Sequence, residues 1–387
     1  MMKNKVKRLT LALIAVGLSS PVLASSMDVS VPCQSGGVIV GATGLYMMPS
    51  SDGTSYGASY SSIFGSGVSA VGNNTFVTGN HNDGTSLGND PSYGWGYGVQ
   101  LGYAFPNTGN DIMAKYSHLS TASTETSTVP GTLSTFSLPN TIGTFTTVNQ
   151  IVPSFADAAP GDGIFTQGIG RNSYGLDTID LSVGQHISIG SNFDLRLYSG
   201  VAWAQVENTN SAAFAGTNIP TTTSSTGVVT SFPLTHSIGG QVVNSKFNGI
   251  GPEIGFDGRY CINQSGFGFD SHLGAQLLVG DVSTSEEDNA VTGFTNAATS
   301  VTPATTFITG SFNQISGSQD RRVVPELDAS LALDYKYAFP NQSVLTTTLG
   351  YQVINYFNVT REVFADGSQA GQNVAFQGPF LTVKYAV

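Results

Sequence analysis

The chain is poor in charge. Asp, Glu, Lys and Arg make up 10% of its 387 residues, against about 25% in ordinary soluble proteins. Basic residues are scarcest, 14 against 25 acidic ones, which argues against nucleic acid or anionic lipid as a charge-matched partner. Two cysteines, Cys33 and Cys261, and five scattered histidines (His81, His118, His186, His236 and His272) cannot supply a zinc-finger ligand set, so no metal and no cofactor are expected. Beyond the first residues nothing approaches the ~20 apolar positions of a spanning helix. No short fixed repeat marks a solenoid. Aromatic residues at 10% and a low charge density are the reverse of a disordered composition.

What is present begins with a leader. Lys3, Lys5, Lys7 and Arg8 precede an apolar stretch over 9–18, and Val22-Leu23-Ala24 ends it. That order reads as a secretory signal over 1–24, cut after Ala24. Without its four basic residues, 10 remaining bases face 25 acids, a net charge of −15 before histidines. Residues 25–37 are expected as an N-terminal segment and 38–387 as one domain.

The dominant pattern is alternation. From 176 to 189, Ile179, Leu181, Val183, Ile187 and Ile189 alternate with Thr178, Asp180, Ser182, His186 and Ser188. After Gly190-Ser191-Asn192 it resumes, with Phe193, Leu195, Leu197, Val201 and Trp203 against Asp194, Arg196 and Tyr198. Side chains of a strand alternate between faces, so this is a hairpin with one apolar and one polar face. The same signal recurs over 38–48, 95–105, 111–119, 248–262, 267–279, 324–339, 344–357 and 378–387, giving ten candidate strands. Short turns such as Pro340-Asn341-Gln342-Ser343 alternate with long connections near 49–94, 120–175, 208–247, 283–322 and 358–377.

A secreted sandwich shares the alternation, but loops this long are uncommon in a compact soluble domain. The whole pattern predicts an all-β, transmembrane, antiparallel up-and-down barrel of ten strands in the outer membrane of a Gram-negative cell. Short turns and both termini would be periplasmic, and the long loops external. Trp95, Tyr103, Phe105, Trp203, Tyr335, Tyr337, Phe339 and Tyr385 near strand ends fit interfacial girdles. Gly96, Gly98 and Gly102 read as packing and bend positions.

Several segments resemble the Legionella-type major outer membrane proteins, a family of pore-forming barrels. They include WGYGVQLGYAFPNTGNDI (95–112), DLSVGQHISIGSNFDLRLYSGVAWAQV (180–206), SKFNGIGPEIGFDGRY (245–260), VVPELDASLALDYKYAF (323–339), GYQVINYFN (350–358) and AFQGPFLTVKY (375–385). The resemblance implies outer-membrane location and pore formation, and supplies no catalytic residue. The chain ends in Val387, where such barrels commonly end in an aromatic residue.

Inward positions then define the expected site. Asp194/Arg196, Asp257/Arg259, Asp270/His272 and Asp334/Lys336 lie near short turns on four successive strands, a pore-lining belt whose signs alternate if His272 is protonated and shear leaves the rows level. Lys115, Asp180, His186, Glu253, Asp328 and Lys384 are further lumen positions. The symmetric turn after Ile262 predicts Arg259 opposite Asp270 and Asp257 opposite His272. Cys33 and Cys261 in an oxidising compartment form a candidate disulfide; residues 34–37 reach roughly 13 Å when extended, and an interchain bridge is the rival.

No enzyme is expected. Asp270-Ser271-His272 has the spacing of an omptin-like pair, but at the end away from an external substrate. No nucleophile with a base can be assembled around His118. Two functions follow: a pore for small hydrophilic solutes, or a structural, adhesive barrel whose loops bind host or environmental ligands. Ten strands imply a narrow lumen. Partners would be outer-membrane lipid, small solutes and a second copy of the chain.

Overall fold

The computed structural model describes residues 29–30, 36–51, 55–69, 74–129, 134–136, 141–153, 165–218, 221–223, 229–231, 234–262, 265–295, 306–363 and 369–387. The expected leader, 1–24, lies outside them, as does Cys33. Ten long strands dominate: β1 (Gly37–Ser51), β2 (Gly94–Ala104), β3 (Asn110–Thr128), β4 (Gln167–Ile189), β5 (Phe193–Asn218), β6 (Leu234–Cys261), β7 (Phe267–Thr295), β8 (Thr306–Ala338), β9 (Val344–Val363) and β10 (Gln369–Ala386). Each pairs antiparallel with its neighbours in the chain, and β10 pairs with β1, so the sheet closes into a barrel. The ten expected strands are these ten.

Closure satisfies the backbone without leaving an edge in lipid. Tight turns with positive φ at Gly190 (64°) and Gly266 (82°) join β4 to β5 and β6 to β7. A walk along the pairing from Lys336 through Thr346, Lys384, Gly41, Gln100, Lys115, Asp180 and Ala202 to Gly251 leads, by way of Leu278, back to β8 at Val324. From 336 to 324 is a shear of twelve residues. Ten strands with that shear tilt by roughly 35–45° and enclose a narrow interior.

The outer face carries the apolar half of each alternation. On β7, Phe267, Phe269, Leu273, Leu277 and Val279 point outward, and Leu331 on β8 is 72% exposed. Thirteen residues at about 3.3 Å each, tilted, span roughly 30 Å, the height of a hydrocarbon layer. Aromatic clusters bound the band. Tyr103–Phe105, Phe267–Tyr335 and Tyr337–Phe339 sit at the short-turn end; Tyr46 packs on Tyr93 and Trp95 at the other. Ion pairs Lys246–Glu207 and Arg321–Asp281 lie on the outer wall beyond it.

The long connections are less irregular than their composition implies. β8 alone runs 33 residues, extending the wall well past the apolar band. Ser55–Ser69, Asn74–Gly88, Ser134–Phe136 and Thr141–Pro153, drawn from two different connections, join in a separate four-stranded sheet. Tyr56, Ile151, Phe165 and Phe214 tie that sheet to the barrel through a small apolar core. At the opposite end, Val29–Ser30 pairs with the last residues of β4.

Candidate functional site in the barrel lumen

The polar half of each alternation turns inward, and near the short turns it forms a connected ionisable belt. Asp111 on β3 is its anchor. Arg196 on β5 donates to it from Nε and Nη2, both at 2.7 Å, and His186 Nε2 lies 2.8 Å away. Gly184 leaves room for that guanidinium, since a Cβ there would stand 2.5 Å from Arg196 Nε. Arg196 Nη1 then reaches Asp257 on β6 at 3.0 Å. Asp257 sits 2.6 Å from His272 Nδ1 on β7, while His272 Nε2 is 3.3 Å from Asp328 on β8. With a carboxylate at each ring nitrogen, only the doubly protonated imidazole donates to both. Gln352 on β9 donates to both oxygens of Asp328. Seven consecutive strands, β3 to β9, are thus linked through one chain of charged and amide groups.

The expected pairing is present on one side and displaced on the other. Arg259 is in register with Asp270, and Asp257 with His272; Asp194 faces Arg259 and Arg196 faces Asp257. The belt does not continue level onto β8. Asp270 there faces Ala332, and Asp334 faces Gly268. The close partner of Arg259 is therefore Asp334, 2.7 Å from Nη2, while Asp270 is 3.9 Å from Nε. The cause is topological. A short turn sets the β6–β7 register, whereas β7 and β8 join only through the far, long connection, so barrel shear sets theirs. Lys336 faces inward opposite Thr346, and Lys384 lies between Thr346 and Gly41. Cys261 faces the lumen, and its Sγ accepts from Arg259 Nη1; its candidate partner Cys33 lies outside the described residues.

One storey further from the short turns, Lys115, Asp180, Glu253 and Glu326 line the wall. Lys115 Nζ lies 5.9 Å from the Tyr198 ring centroid, and Tyr198 stacks on His272. One oxygen each of Asp180, Glu253 and Glu326 is buried without a hydrogen-bond partner. Above them the lumen turns apolar. Leu119, Leu176, Val206, Phe247, Leu278, Val324, Tyr356 and Phe376 form one buried cluster inside the barrel. The sequence reading missed this layer, and Asp111, Glu326 and Gln352 with it. Inward parity was the available signal, because these positions share it with Lys115, Glu253 and Asp328.

His118 is not in the lumen. It faces outward with Tyr116, and both contact Asp177 on β4, at 2.8 and 2.9 Å. Asp270 and His272 both point into the charged network rather than to an open rim. Among the described residues, no group of three or more His, Cys, Asp or Glu could hold a metal ion.

A closed ten-stranded barrel, apolar outside and ionisable within, is a β-barrel of the outer-membrane class. The chain matches the family model described as Legionella pneumophila major outer membrane protein precursor over residues 30–387. It belongs to that family and is an outer-membrane protein. No curated protein matches it by sequence. Among solved structures, the outer membrane protease OmpT from Escherichia coli is 12% identical with a TM-score of 0.36, covering 95% of this chain and 100% of that one. A Pseudomonas aeruginosa FadL homologue is 10% identical with a TM-score of 0.26, covering 90% of each. Likenesses at that level carry no inference about activity.

Proposed function

We propose that the protein is a pore for small hydrophilic solutes across the outer membrane, with the ionisable belt as its narrow passage. The observation that carries the reading is the storey of Asp180, Glu253 and Glu326. Each has a buried carboxylate oxygen that no protein group satisfies. In a dry, salt-bridged filling such atoms would be costly; in a wetted passage, water and solute meet them. The belt residues are Asp194, Arg196, Asp257, Arg259, Asp270, His272, Asp334 and Lys336. In this reading the short turns and both termini are periplasmic and the long connections external. No catalytic step and no cofactor enter it.

A second reading has one observation in its favour. Two long connections build a four-stranded sheet beyond the barrel, an ordered surface that would suit a barrel binding host or environmental ligands. Reconstitution into planar bilayers separates the two. A pore gives discrete single-channel steps. A correctly folded barrel that never conducts would favour the adhesive reading.

A further inference from the structure

The outer wall carries a polar cluster that faces lipid rather than the pore. It is built on β2, β3 and β4. Pairing sets Tyr97 opposite His118 and His118 opposite Asp177, and residues directly opposite on neighbouring strands share a face. Asp177 Oδ1 lies 2.8 Å from His118 Nδ1, and the Tyr116 hydroxyl donates to the same oxygen at 2.9 Å. Tyr97 packs on both rings, its centroid 5.5 Å from that of His118 and 6.2 Å from that of Tyr116. Nearer the short turns the same face holds Val99, Leu101, Ile179 and Leu181, each about half exposed. An ionisable pair beside such an apolar band is costly and marks a functional site. Its depth fits that reading. The next outward position on β2 is Trp95, which packs on Tyr46 in the aromatic girdle. Girdles mark the level where hydrocarbon gives way to headgroups, and the acyl esters of membrane lipids lie there.

The cluster has the chemistry of an oriented base. A carboxylate only accepts, so Asp177 makes His118 Nδ1 the donor and leaves Nε2 as the acceptor. That is the arrangement in which a histidine takes the proton of a nucleophile. A nucleophile stands on the same face. Ser120 is two residues beyond His118 on β3, so its side chain projects to the same side, and it is exposed. Two residues along a strand cover about 6.6 Å, a gap that rotation of the Ser120 hydroxyl and the imidazole toward each other closes; such contacts are commonly long before substrate binds. Opposite Ser120 on β4 is Gly175, where a Cβ would meet only Glu207, at 3.7 Å. The wall beside the hydroxyl is therefore open to an ester. Local spacing gives His118 no such carboxylate: Asp177 is 59 residues along the chain and reaches it through the β3–β4 pairing.

We propose that Ser120, His118 and Asp177 form a catalytic site on the lipid-facing wall that hydrolyses carboxylic esters of membrane lipids. Ser120 Oγ attacks the ester carbonyl as its proton passes to His118 Nε2. The tetrahedral intermediate collapses with cleavage of the acyl C–O bond, and His118 gives that proton to the departing oxygen. Water from the headgroup layer then attacks the acyl-serine; His118 takes the water's proton and returns it to Ser120 Oγ as the fatty acid leaves. Water is the co-reactant throughout. Asp177 is a positioning residue, which holds the tautomer and stabilises the imidazolium, and Tyr116 fixes its carboxylate. The site shares no residue with the ionisable belt, so this activity and the pore stand or fall separately.

The test uses the full-length barrel in two kinds of vesicle. One is made of phosphatidylethanolamine; the other mixes lipopolysaccharide with an ether-linked phospholipid that has no ester. Fatty-acid release is followed by mass spectrometry. Release from the first assigns a glycerophospholipid substrate, and release from the second an acylated glycolipid. Ser120→Ala and His118→Ala should each lower the rate by about a hundredfold or more. Asp177→Asn should lower kcat by about tenfold or more with KM unchanged, a split that a merely structural role would not give. A fluorophosphonate should label Ser120, identified by peptide mass spectrometry, in the parent but not in His118→Ala. Ser120→Ala removes one exposed oxygen and should keep the heat-dependent gel shift of the folded barrel. No release from either vesicle by the parent, or release that survives Ser120→Ala, overturns the proposal.

Discussion

Arg196→Met is the most informative single change, because it asks whether the wall around Asp111 is dry. The Asp111 side chain is 1% exposed and that of Arg196 7%, and two of the three hydrogen bonds the carboxylate accepts come from this guanidinium. Methionine keeps much of the volume and removes the charge. Asp111 is then left buried with His186 alone, and losing one partner of a buried pair costs about 3–5 kcal/mol. That is a hundredfold to several-thousandfold in the folding equilibrium. The control is Lys246→Met, whose pair with Glu207 is 46% exposed on both sides and contributes about 0–1 kcal/mol. Urea titration of the barrel in lipid vesicles, followed by tryptophan fluorescence, measures both. Asp111→Asn in the Arg196→Met background should recover part of the loss, since the uncompensated charge is gone. If Arg196→Met unfolds within 1 kcal/mol of the parent, water reaches Asp111 and the dry-pocket reasoning is wrong.

Further outcomes can be stated briefly. Arg259→Ala should alter single-channel conductance or ion selectivity, whereas Arg321→Ala on the outer wall should leave both unchanged; equal effects would remove the belt from the passage. A reporter cysteine at Thr124 should react with an impermeant thiol reagent on intact cells and one at Gln342 should not, in a background lacking native cysteines; the reverse pattern inverts the orientation. Cys261 should be recovered by mass spectrometry in a peptide cross-linked to Cys33 of the same chain, and a reduction-sensitive dimer without that peptide would assign the bridge between chains. Phe247→Ala should thin the apolar layer, lower stability by about 3–5 kcal/mol and raise conductance; a stable variant with unchanged conductance would mean that the layer does not restrict the passage.

The wall was legible in the sequence and its contents only partly so. Alternation located all ten strands, since lipid on one side and a polar lumen on the other impose the same two-residue period on each. It also aimed Asp194, Arg196, Asp257, Arg259, Asp270 and His272 inward, and the turn after Ile262 was short enough to set Arg259 against Asp270. It failed at Asp334. There the register is a property of the closed ring, a twelve-residue shear accumulated over ten strands, and no local segment encodes that number. The aromatic residues divided in the same way. Those outside, such as Trp95 and Tyr335, mark the ends of the apolar band, but Phe247, Tyr356 and Phe376 have the same chemistry and face inward. Only their parity relative to the charged positions distinguishes them.

That parity also explains why the inward course of residues 357–361 escapes a reading by pattern. Up to Tyr356, β9 keeps the period of the wall. From Phe357 onward the sequence Phe-Asn-Val-Thr-Arg reads as the start of a polar connection, because Asn commonly ends a strand and charge follows. Asn358, with its positive φ, stands where the wall pairing is interrupted, and beyond it Val359 is buried in the apolar cluster and the Arg361 N–H reaches Ser245 on β6. What makes the inward course favourable lies elsewhere in the sequence: Ser245 on β6, Asp320 and Arg322 on β8, and an apolar layer assembled from strands scattered along the chain. Each is unremarkable in its own segment. A ten-stranded barrel is too narrow for an inserted strand end to remain solvated, so once the bulge forms, contact with other strands of the wall follows from the radius, and the radius follows from strand number and shear.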